Sequence, residues 1–270
     1  MTILNVAHRG ARSLAPENTI AAARKALEVG AGMWELDVQL TADDELLVMH
    51  DPKLTRTSDV GERFPQRRPW RVDGFALSEI QTMDCGGWFV RQDPFGQIAV
   101  GAVSAAETDS YLGLRAPTLR QALEYTIDNG WTVNIELKHL TGDDKGRLMV
   151  QKTIDLITAL GMEQGVLLSS FNHDYLRQAR TLAPNLPIAA LSLFAIRRPL
   201  RYLTNLGAQA YNPRQGAVRR RMVAALRSSG LDVYVWTVNN EKAMRRLIGM
   251  GVTGIITDFP QSLCGLLVGP

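Results

Sequence analysis

Residues 33–50 read MWELDVQLTADDELLVMH, and the architecture can be worked out from the pattern of these residues. This stretch holds two runs of strand length, at 33–39 and 45–50, and only the short turn-like segment TADD at 41–44 lies in the link between them. A parallel crossover needs about a dozen residues or more, so this short link predicts a turn and an antiparallel hairpin. If residue 40 pairs with residue 45, Glu35 lies opposite His50 on the neighbouring strand.

Around this hairpin, short runs rich in Val, Ile and Leu alternate with stretches of helical period, which is typical of parallel βα units. Strands are predicted at 3–7, 33–39, 45–50, 132–138, 166–170, 187–192, 208–211, 232–237 and 253–257. When the hairpin arm at 45–50 is set aside, eight strands of parallel character remain. The sequence therefore predicts an α/β fold, a TIM (βα)8 barrel with a β-hairpin arm.

Helical periodicity accounts for most of the connections between these strands. Helices are predicted at 18–29, 118–129, 145–160, 172–182, 197–205, 216–229 and 240–249. Asn18, Thr118 and Asn172 each stand at the start of such a stretch. A short polar side chain there accepts a hydrogen bond from an unpaired backbone N–H, so we expect these three residues to be N-caps.

One segment, 52–116, interrupts the alternation of strands and helices. It is rich in Pro, Gly and charged residues, and only 77–83 has a weak helical pattern. It is too long for an ordinary loop. Because it follows a strand at the end of the barrel where such folds place functional residues, we predict one domain over 1–270, with 52–116 as a small subdomain inserted over the carboxyl-terminal mouth.

Composition and charge exclude several classes of protein. The 270 residues are 46% hydrophobic and 21% charged, which excludes a disordered, collagen-like or coiled-coil chain. The 30 Lys and Arg against 27 Asp and Glu give a net charge of +3, too even for an electrostatic nucleic-acid binder. We interpret the short basic clusters at 67–68, 197–198 and 219–221 as solvated helix or loop faces.

The cysteines and the apolar stretches bear on the cellular compartment. Cys85 and Cys264 lie far apart without a CxxC motif, so the sequence implies neither a disulfide framework nor a zinc site. The longest apolar stretch, around 187–196, has about half of the roughly 20 residues that a membrane helix needs. The amino terminus, MTILNVAHRG, lacks a signal-peptide pattern. We predict a cytoplasmic protein with no stable membrane insertion and no nucleic-acid partner.

Three carboxylates stand at predicted strand ends, where an unpaired charge is costly. Glu35 and Asp37 are two residues apart and share a face of their strand, and Glu136 lies in the next barrel strand. Carboxylates this close repel unless a positive charge lies among them. A Mg²⁺ or Ca²⁺ ion, which prefers oxygen ligands, would supply it. The alternative is that Lys138 and Arg9 neutralise the cluster as structural ion pairs.

Two of the four histidines, His8 and His50, fall at the same strand ends. An imidazole pair with pKa values near 6.5 can divide the roles of base and acid at neutral pH. Arg9 offers a planar guanidinium for bidentate phosphate contact, and Lys138 offers a second positive charge. Together with a metal ion, these residues predict a site for phosphoryl transfer.

These residues lie in motifs that strongly resemble the glycerophosphodiester phosphodiesterase family. The matching runs follow the family's order from residue 7 to residue 260 and cover almost the whole chain. They are AHRG at 7–10, PENT at 16–19, ELDVQLTADDELLVMHD at 35–51, LTRT at 54–57, PTLRQAL at 117–123, NIELK at 134–138, WTVN at 236–239 and GIITDFP at 254–260. No single run is decisive, but the combination is highly specific.

The resemblance implies a TIM barrel that hydrolyses glycerophosphodiesters, such as glycerophosphocholine and glycerophosphoethanolamine, to sn-glycerol 3-phosphate and an alcohol. It implies the following roles: His8 and His50 as the acid/base pair, Arg9 and Lys138 as phosphate ligands, and Glu35, Asp37 and Glu136 as ligands of one Mg²⁺ or Ca²⁺ ion. Every matched position holds the expected residue type.

Several further residues have weaker signals. Phe171 and Trp236 lie at strand ends, and they either wall the substrate pocket or pack in the core. Asn18 and Asp258 are interpreted first as a cap and a loop hydrogen-bonding residue. Residues 90–116 extend the inserted segment, and we hypothesise that this loop closes over the alcohol side of the substrate and sets its size.

Two other functions remain open at this point. The same chemistry acts on lysophospholipids in family relatives with phospholipase D activity, which an exposed apolar rim would favour. A phosphoester-binding protein without turnover would have lost a catalytic histidine or carboxylate, and none is lost. The expected partner is a small-molecule diester, and we expect the protein to be a monomer or a homodimer.

Overall fold

A computed structural model of the chain describes residues 3–140 and 142–268, and these residues form a closed barrel. The sheet order is β1-β9-β8-β7-β6-β5-β4-β2-β3, and β1 also pairs with β2. Eight strands therefore close into a parallel barrel, while β3 lies outside it, which confirms the predicted TIM barrel. The strands are β1 (Leu4–His8), β2 (Met33–Leu40), β3 (Leu46–Val48), β4 (Val133–Leu137), β5 (Val166–Ser170), β6 (Ile188–Ser192), β7 (Ala210–Pro213), β8 (Asp232–Val235) and β9 (Gly254–Thr257).

Helices cover the outside of the barrel. They are α1 (Ile20–Glu28), α2 (Val60–Arg63), α3 (Leu77–Ile80), α4 (Gly87–Gln92), α5 (Ala105–Tyr111), α6 (Leu119–Asp128), α7 (Asp143–Ala159), α8 (His173–Leu182), α9 (Pro199–Leu206), α10 (Arg220–Ser228), α11 (Glu241–Ile248) and α12 (Pro260–Val268). Two 3₁₀ turns lie at Val72–Gly74 and Gln215–Ala217. Among the described residues, no helix is both long and apolar enough to span a membrane.

The capping predictions are right at two positions and wrong at one. Thr118 and Asn172 cap α6 and α8 through side-chain hydrogen bonds. The cap of α1 is Thr19, whose hydroxyl accepts from the N–H of Ala22. Asn18 has a left-handed backbone with φ of 58°. Its side-chain amide donates to Asp37 at 2.8 Å, so this residue faces the strand β2 and not its own helix.

The hairpin forms as predicted, but its register differs by one residue. Val38 pairs with Val48 and Leu40 pairs with Leu46, in antiparallel orientation. Five residues, 41–45, therefore lie between the paired residues, one more than predicted. Asp44 adopts a left-handed backbone within this turn, with a φ of 61°. The pairing of Glu35 with His50 is therefore wrong, and β3 in any case ends at Val48.

The barrel interior explains where polar residues gather. Its lower layer is apolar and consists of Val6, Met33, Leu167, Ala189, Ala210, Tyr234 and Ile256. Side chains two residues further along a strand point to the same face, one layer closer to the carboxyl-terminal mouth. That next layer includes His8, Glu35 and Ser169. The strand alternation thus places the polar residues above an apolar floor.

Residues 52–116 pack against the edge of the barrel next to the β1–α1 loop. The helices α2 and α3 surround an apolar cluster that includes Phe75, Ile80 and Met83. The Phe95 ring meets the Phe259 ring edge-on, with centroids 5.6 Å apart. The Tyr111 hydroxyl donates to the Leu14 carbonyl at 3.0 Å. The division into a barrel and an inserted subdomain stays a prediction.

Candidate active site

A cavity opens at the carboxyl-terminal end of the barrel, and most of the predicted site residues line it. Its lining comprises His8, Arg9, Glu35, His50, Asn134, Glu136, Lys138, Ser169, Phe171, Leu191, Trp236, Thr237 and Ile256. Asp37 on β2 pairs with Glu136 on the neighbouring strand β4, and its side chain is fully buried. Among these lining residues none belongs to 52–116, so the hypothesis that 90–116 closes over the substrate receives no support from the described structure.

Three buried carboxylates form the centre of the site. Glu35, Asp37 and Glu136 each bring one oxygen to within 4.8 Å of the others. The Arg9 backbone N–H donates to Glu35 at 2.9 Å. Lys138 Nζ lies 2.6 Å from Glu136 and 3.4 Å from Asp37, and Arg9 Nε lies 3.2 Å from Asp37. The two cations that the sequence suggested as neutralising partners are therefore both in contact with the cluster.

Two cations do not balance these three carboxylates. Burial raises the pKa of Glu35 well above its ordinary value, and repulsion from Asp37 and Glu136 adds to this shift. Burial and Asp37 likewise raise the pKa of Glu136. Although burial opposes it, Lys138 and Arg9 hold the pKa of Asp37 well below its ordinary value. One negative charge is thus held at Asp37 while its neighbours resist ionisation.

The donor set fits a hard divalent cation. Three carboxylates converge without a sulfur or imidazole ligand among them, which suits Mg²⁺ or Ca²⁺. Two buried oxygens beside the cluster, Asp37 Oδ1 and Asn134 Oδ1, accept no hydrogen bond within the described part of the chain. A cation would supply the charge that lowers the pKa values of Glu35 and Glu136.

His8 is held by a carboxylate on the far side of its ring. Its Nδ1 lies 2.6 Å from Asp258, which also accepts from the Asn239 amide at 2.6 Å. This contact favours a proton on Nδ1 and leaves Nε2 as the nitrogen available to a substrate. Burial, with help from Arg9, lowers the pKa of His8, although Asp258 opposes the shift. The ring is therefore neutral at pH 7.

His50 is held in the same way from the hairpin arm. Its Nδ1 lies 2.5 Å from Asp51. Asp51 in turn accepts from Arg56 Nε at 2.6 Å. The ring is more exposed than that of His8, with 30% of the His50 side chain accessible against 14%. Two imidazoles with the same orienting contact thus line one cavity.

Glu17 links the residues behind the two histidines. This buried carboxylate accepts from Arg9 at 2.8 Å, and Arg56 contributes two further bonds at 2.7 and 2.9 Å. Arg12 Nη2 lies 2.6 Å from Glu17, and its Nη1 lies 3.6 Å from Asp258. An unbroken chain of ion pairs therefore runs from Asp258 through Arg12, Glu17 and Arg56 to Asp51.

The turn after β1 positions Arg9 between the carboxylates. Arg9 has a φ of 56° and Gly10 a φ of 80°, so two successive residues are in the left-handed region. A Cβ on Gly10 would come within 2.6 Å of Ala22, which only glycine avoids. This turn directs the Arg9 backbone N–H to Glu35 and its side chain to Glu17 and Asp37.

Phe171 and Trp236 form one wall of the cavity. Their rings meet edge-on, with centroids 5.3 Å apart. Trp236 Nε1 donates to the Asn212 carbonyl at 2.7 Å, which fixes the indole. The other two histidines do not line the cavity, and His173 is engaged by Tyr202 and the Leu191 carbonyl.

The sequence reasoning missed several residues that support or line the site, among them Glu17, Asp51, Arg56 and Asn134. Glu17, Asp51 and Arg56 lie in the PENT, HD and LTRT runs, but no role was drawn for them. Asn134 was also missed, although it stands two residues before Glu136 and so shares its strand face. That spacing was the available signal for Asn134. The ion pairs of Glu17 join distant loops, which a linear sequence does not reveal.

Comparison with known proteins identifies the family. The model of the glycerophosphoryl diester phosphodiesterase family matches residues 8–262. The chain belongs to this family. A glycerophosphodiester phosphodiesterase from Caldanaerobacter subterraneus subsp. tengcongensis is 35% identical over 99% of this chain and 98% of its own length. The protein is accordingly an enzyme of the phosphodiesterase class.

Solved structures of glycerophosphodiester phosphodiesterases share the fold. The crystal structure of the Agrobacterium tumefaciens enzyme is 28% identical, with a TM-score of 0.74 over 98% of this chain and 99% of that one. An Oleispira antarctica phosphodiesterase, solved in complex with the product sn-glycerol-3-phosphate, has a TM-score of 0.80 at 24% identity over 97% and 95% of the two chains.

Proposed function

We propose that the enzyme hydrolyses glycerophosphodiesters, such as glycerophosphocholine and glycerophosphoethanolamine, to sn-glycerol 3-phosphate and an alcohol. The observation that carries this proposal is that His8 and His50, each with its Nδ1 on a carboxylate, line the same cavity as the carboxylate cluster. A phosphodiester needs one group to take a proton from the nucleophile and another to protonate the leaving alcohol.

Glu35, Asp37 and Glu136 would hold one Mg²⁺ or Ca²⁺ ion beside this cavity. A bound divalent cation supplies Lewis-acid stabilisation of charge on the phosphate oxygens. Arg9 and Lys138 line the same cavity and add positive charge to it. Their contacts with the carboxylates hold these cations in place, so they stabilise the phosphate without having to reorganise.

We assign the first proton transfer to His8. Burial lowers the pKa of His8, so its Nε2 is free to accept a proton from the attacking hydroxyl. His50, which is more exposed and lies on the hairpin arm, then donates its proton to the leaving alcohol. The attacking group is either the neighbouring glycerol hydroxyl, giving a cyclic phosphate, or water, and ³¹P NMR of a reaction in progress separates these routes.

The test is release of sn-glycerol 3-phosphate from glycerophosphocholine and glycerophosphoethanolamine. Turnover is measured first with EDTA and then with Mg²⁺ or Ca²⁺ restored, and a His50→Ala preparation serves as the control for contaminating activity. We expect turnover that stops with the chelator and returns with one of the ions. Activity that survives EDTA would contradict the metal assignment, and inactivity with both ions would contradict the substrate assignment.

A second candidate substrate class is lysophospholipids. One observation favours it: Leu193 and Phe194, which follow β6 at the mouth of the barrel, are exposed apolar residues. These exposed apolar residues belong to the loop between β6 and α9. Release of lysophosphatidic acid from lysophosphatidylcholine tests this candidate.

A further inference from the structure

The second half of the barrel carries an unusual distribution of charge. Residues 175–231 contain ten arginines and no Asp, Glu or Lys. Those 57 residues thus hold ten of the chain's 30 basic residues and none of its 27 acidic ones, which leaves 20 basic and 27 acidic residues elsewhere. A positive field localised in this way attracts an anionic partner even though the net charge of the chain is small.

An exposed apolar tip lies within this basic region. Phe194 is 81% exposed and its neighbour Leu193 is 51% exposed. Both belong to the loop between β6 and α9, at the carboxyl-terminal end of the barrel. Ala195 and Leu200 beside them are also exposed. Adjacent apolar side chains that stay at least half exposed in the folded chain indicate an interaction surface.

Arginines surround this tip, which consists of residues 193–195. Arg214, Arg219 and Arg246 share one shallow depression with Leu193 and Phe194. Arg197, Arg198 and Arg201 follow the tip in sequence, and all six arginines are exposed. Within residues 3–140 and 142–268, none of the six has a carboxylate within 4.0 Å. The structure thus leaves these charges available to an external anion.

The tip is continuous with the active-site mouth. Leu191, two residues before Leu193, lines the cavity. The Arg214 N–H donates to the Ser192 carbonyl at 3.0 Å, and Arg214 forms a β-bridge with the cavity residue Trp236. A surface bound at the tip would therefore lie beside the entrance to the cavity.

We propose that residues 193–195 and the six arginines around them dock the enzyme on an anionic lipid bilayer. Apolar side chains at such a tip enter the boundary between head groups and acyl chains, while arginines contact the lipid phosphates. The phosphates of a nucleic acid would also bind the arginines. However, Leu193 has no ring to stack on a base, and a polar nucleic-acid groove would not bury its apolar side chain favourably. Docking alone needs no catalysis. The further step, in which docking presents lysophospholipid head groups to the cavity, rests on the proposed function.

The test is sedimentation of the full-length enzyme with two kinds of vesicle. One contains phosphatidylcholine only, and the other contains equal parts of phosphatidylcholine and phosphatidylglycerol. We expect binding to the anionic vesicles only, with loss of binding in high salt. Phe194→Ser and the double variant Arg197→Gln/Arg198→Gln should each weaken binding by about tenfold, because one removes the inserted ring and the other removes two charges.

Matched variants control for loss of apolar surface and of charge. Val100→Ser replaces an apolar residue that is 72% exposed in the inserted segment. Arg120→Gln/Arg147→Gln removes two exposed charges that pair within their own helices. Both controls should bind anionic vesicles as wild type does. Equal weakening in the controls, or no binding by wild type, would overturn the proposal.

Two further measurements distinguish lipid docking from nucleic-acid binding and from the proposed catalytic function. Poly(U) RNA that binds as tightly as the anionic vesicles, without loss in Phe194→Ser, would identify a nucleic-acid surface and overturn the lipid assignment. Turnover of glycerophosphocholine in the absence of vesicles reports on the proposed function alone. Failure of docking would leave that turnover intact, whereas failure of the proposed function would leave vesicle binding intact.

Discussion

Arginines have opposite roles in the two halves of the barrel mouth. In the half built from β1, β2 and β4, Arg9, Arg12 and Arg56 are paired with carboxylates. In the half built from β6, β7 and β8, exposed residues such as Arg197 and Arg214 lack carboxylate partners among the described residues. The paired arginines hold the carboxylates that contact His8 and His50 and the buried acidic cluster, whereas the unpaired ones remain available to external anions. Under the two proposals above, the paired arginines belong to the candidate active site and the unpaired ones to the lipid-docking surface.

Removal of either histidine should have the largest effect. We expect His8→Ala and His50→Ala to lower kcat/KM for glycerophosphocholine by about 10²–10⁴-fold, since each loses a proton-transfer group. A substrate with an activated leaving group, the p-nitrophenyl diester of glycerol phosphate, distinguishes their roles. The loss in His50→Ala should shrink on this substrate because p-nitrophenolate leaves without a proton, while the loss in His8→Ala should persist.

Circular dichroism on both histidine variants provides the control, because neither side chain belongs to an apolar cluster of the core. A variant that remains folded and fully active would contradict the acid/base assignment. A loss in His8→Ala that shrinks on the activated substrate would reverse the two roles.

Removal of one carboxylate from the cluster should have the next largest effect. Glu136→Gln keeps the shape of the side chain but removes one of three ligand charges. We expect the affinity for Mg²⁺ or Ca²⁺ to fall by about 100-fold, at the upper end of the effects seen for groups that support a metal site. Isothermal titration calorimetry measures it, with Glu124→Gln on the surface of α6 as the control. If Glu136→Gln bound Mg²⁺ or Ca²⁺ as tightly as wild type does, the metal assignment would be contradicted. The three carboxylates would then be partners in structural ion pairs.

Glu17 should influence stability more than metal binding. Glu17→Gln removes the buried carboxylate that Arg9, Arg12 and Arg56 share, so we expect a loss of about 1.5–3 kcal/mol in the free energy of unfolding. Burial opposes ionisation, but Arg56, Arg9 and Arg12 hold the pKa of Glu17 at about 2, against an ordinary value of 4.5. Its contribution is fully present above pH 4.5 and is lost as the pH falls towards 2.

Thermal unfolding across this pH range tests the assignment. The difference in Tm between wild type and Glu17→Gln should narrow as the pH falls from 6 to about 3. If the difference in Tm between wild type and Glu17→Gln stayed constant over this pH range, Glu17 would stabilise the protein by packing and not by its charge.

The smallest effect should come from the unpaired half of the mouth. Arg197→Gln/Arg198→Gln should change kcat/KM for glycerophosphocholine by less than about twofold, because exposed charges contribute little to a site that they do not touch. If Arg197→Gln/Arg198→Gln lowered kcat/KM for glycerophosphocholine much more than twofold, these exposed arginines would contribute to turnover. The proposed distinction between paired and unpaired arginines would then be wrong.

The sequence predicted the barrel because most strands are short runs rich in Val, Ile and Leu and most crossovers have helical period. It missed α12, whose helical signal is weakened by Gly265 in its interior. The register of the hairpin was wrong by one residue because turn length, not strand pattern, sets it.

The carboxylate cluster could be predicted because Glu35, Asp37 and Glu136 stand on strands, where periodicity fixes the direction of each side chain. The partners Glu17 and Arg56 stand on loops, whose direction depends on tertiary contacts. Asn18 was interpreted as a helix cap, but its positive φ turns it towards Asp37. Charged strand residues therefore reveal the site, while the loops that support it emerge only from the fold.

The contacts of Glu17 also bear on how this protein can evolve. Arg12 reaches it from the loop behind His8, and Arg56 reaches it from the segment behind His50. A substitution at either arginine alters the field felt by the other, so the fitness effect of one depends on the state of its counterpart. We expect epistasis between two segments that are 44 positions apart in the chain, and lineages should exchange the two arginines in concert.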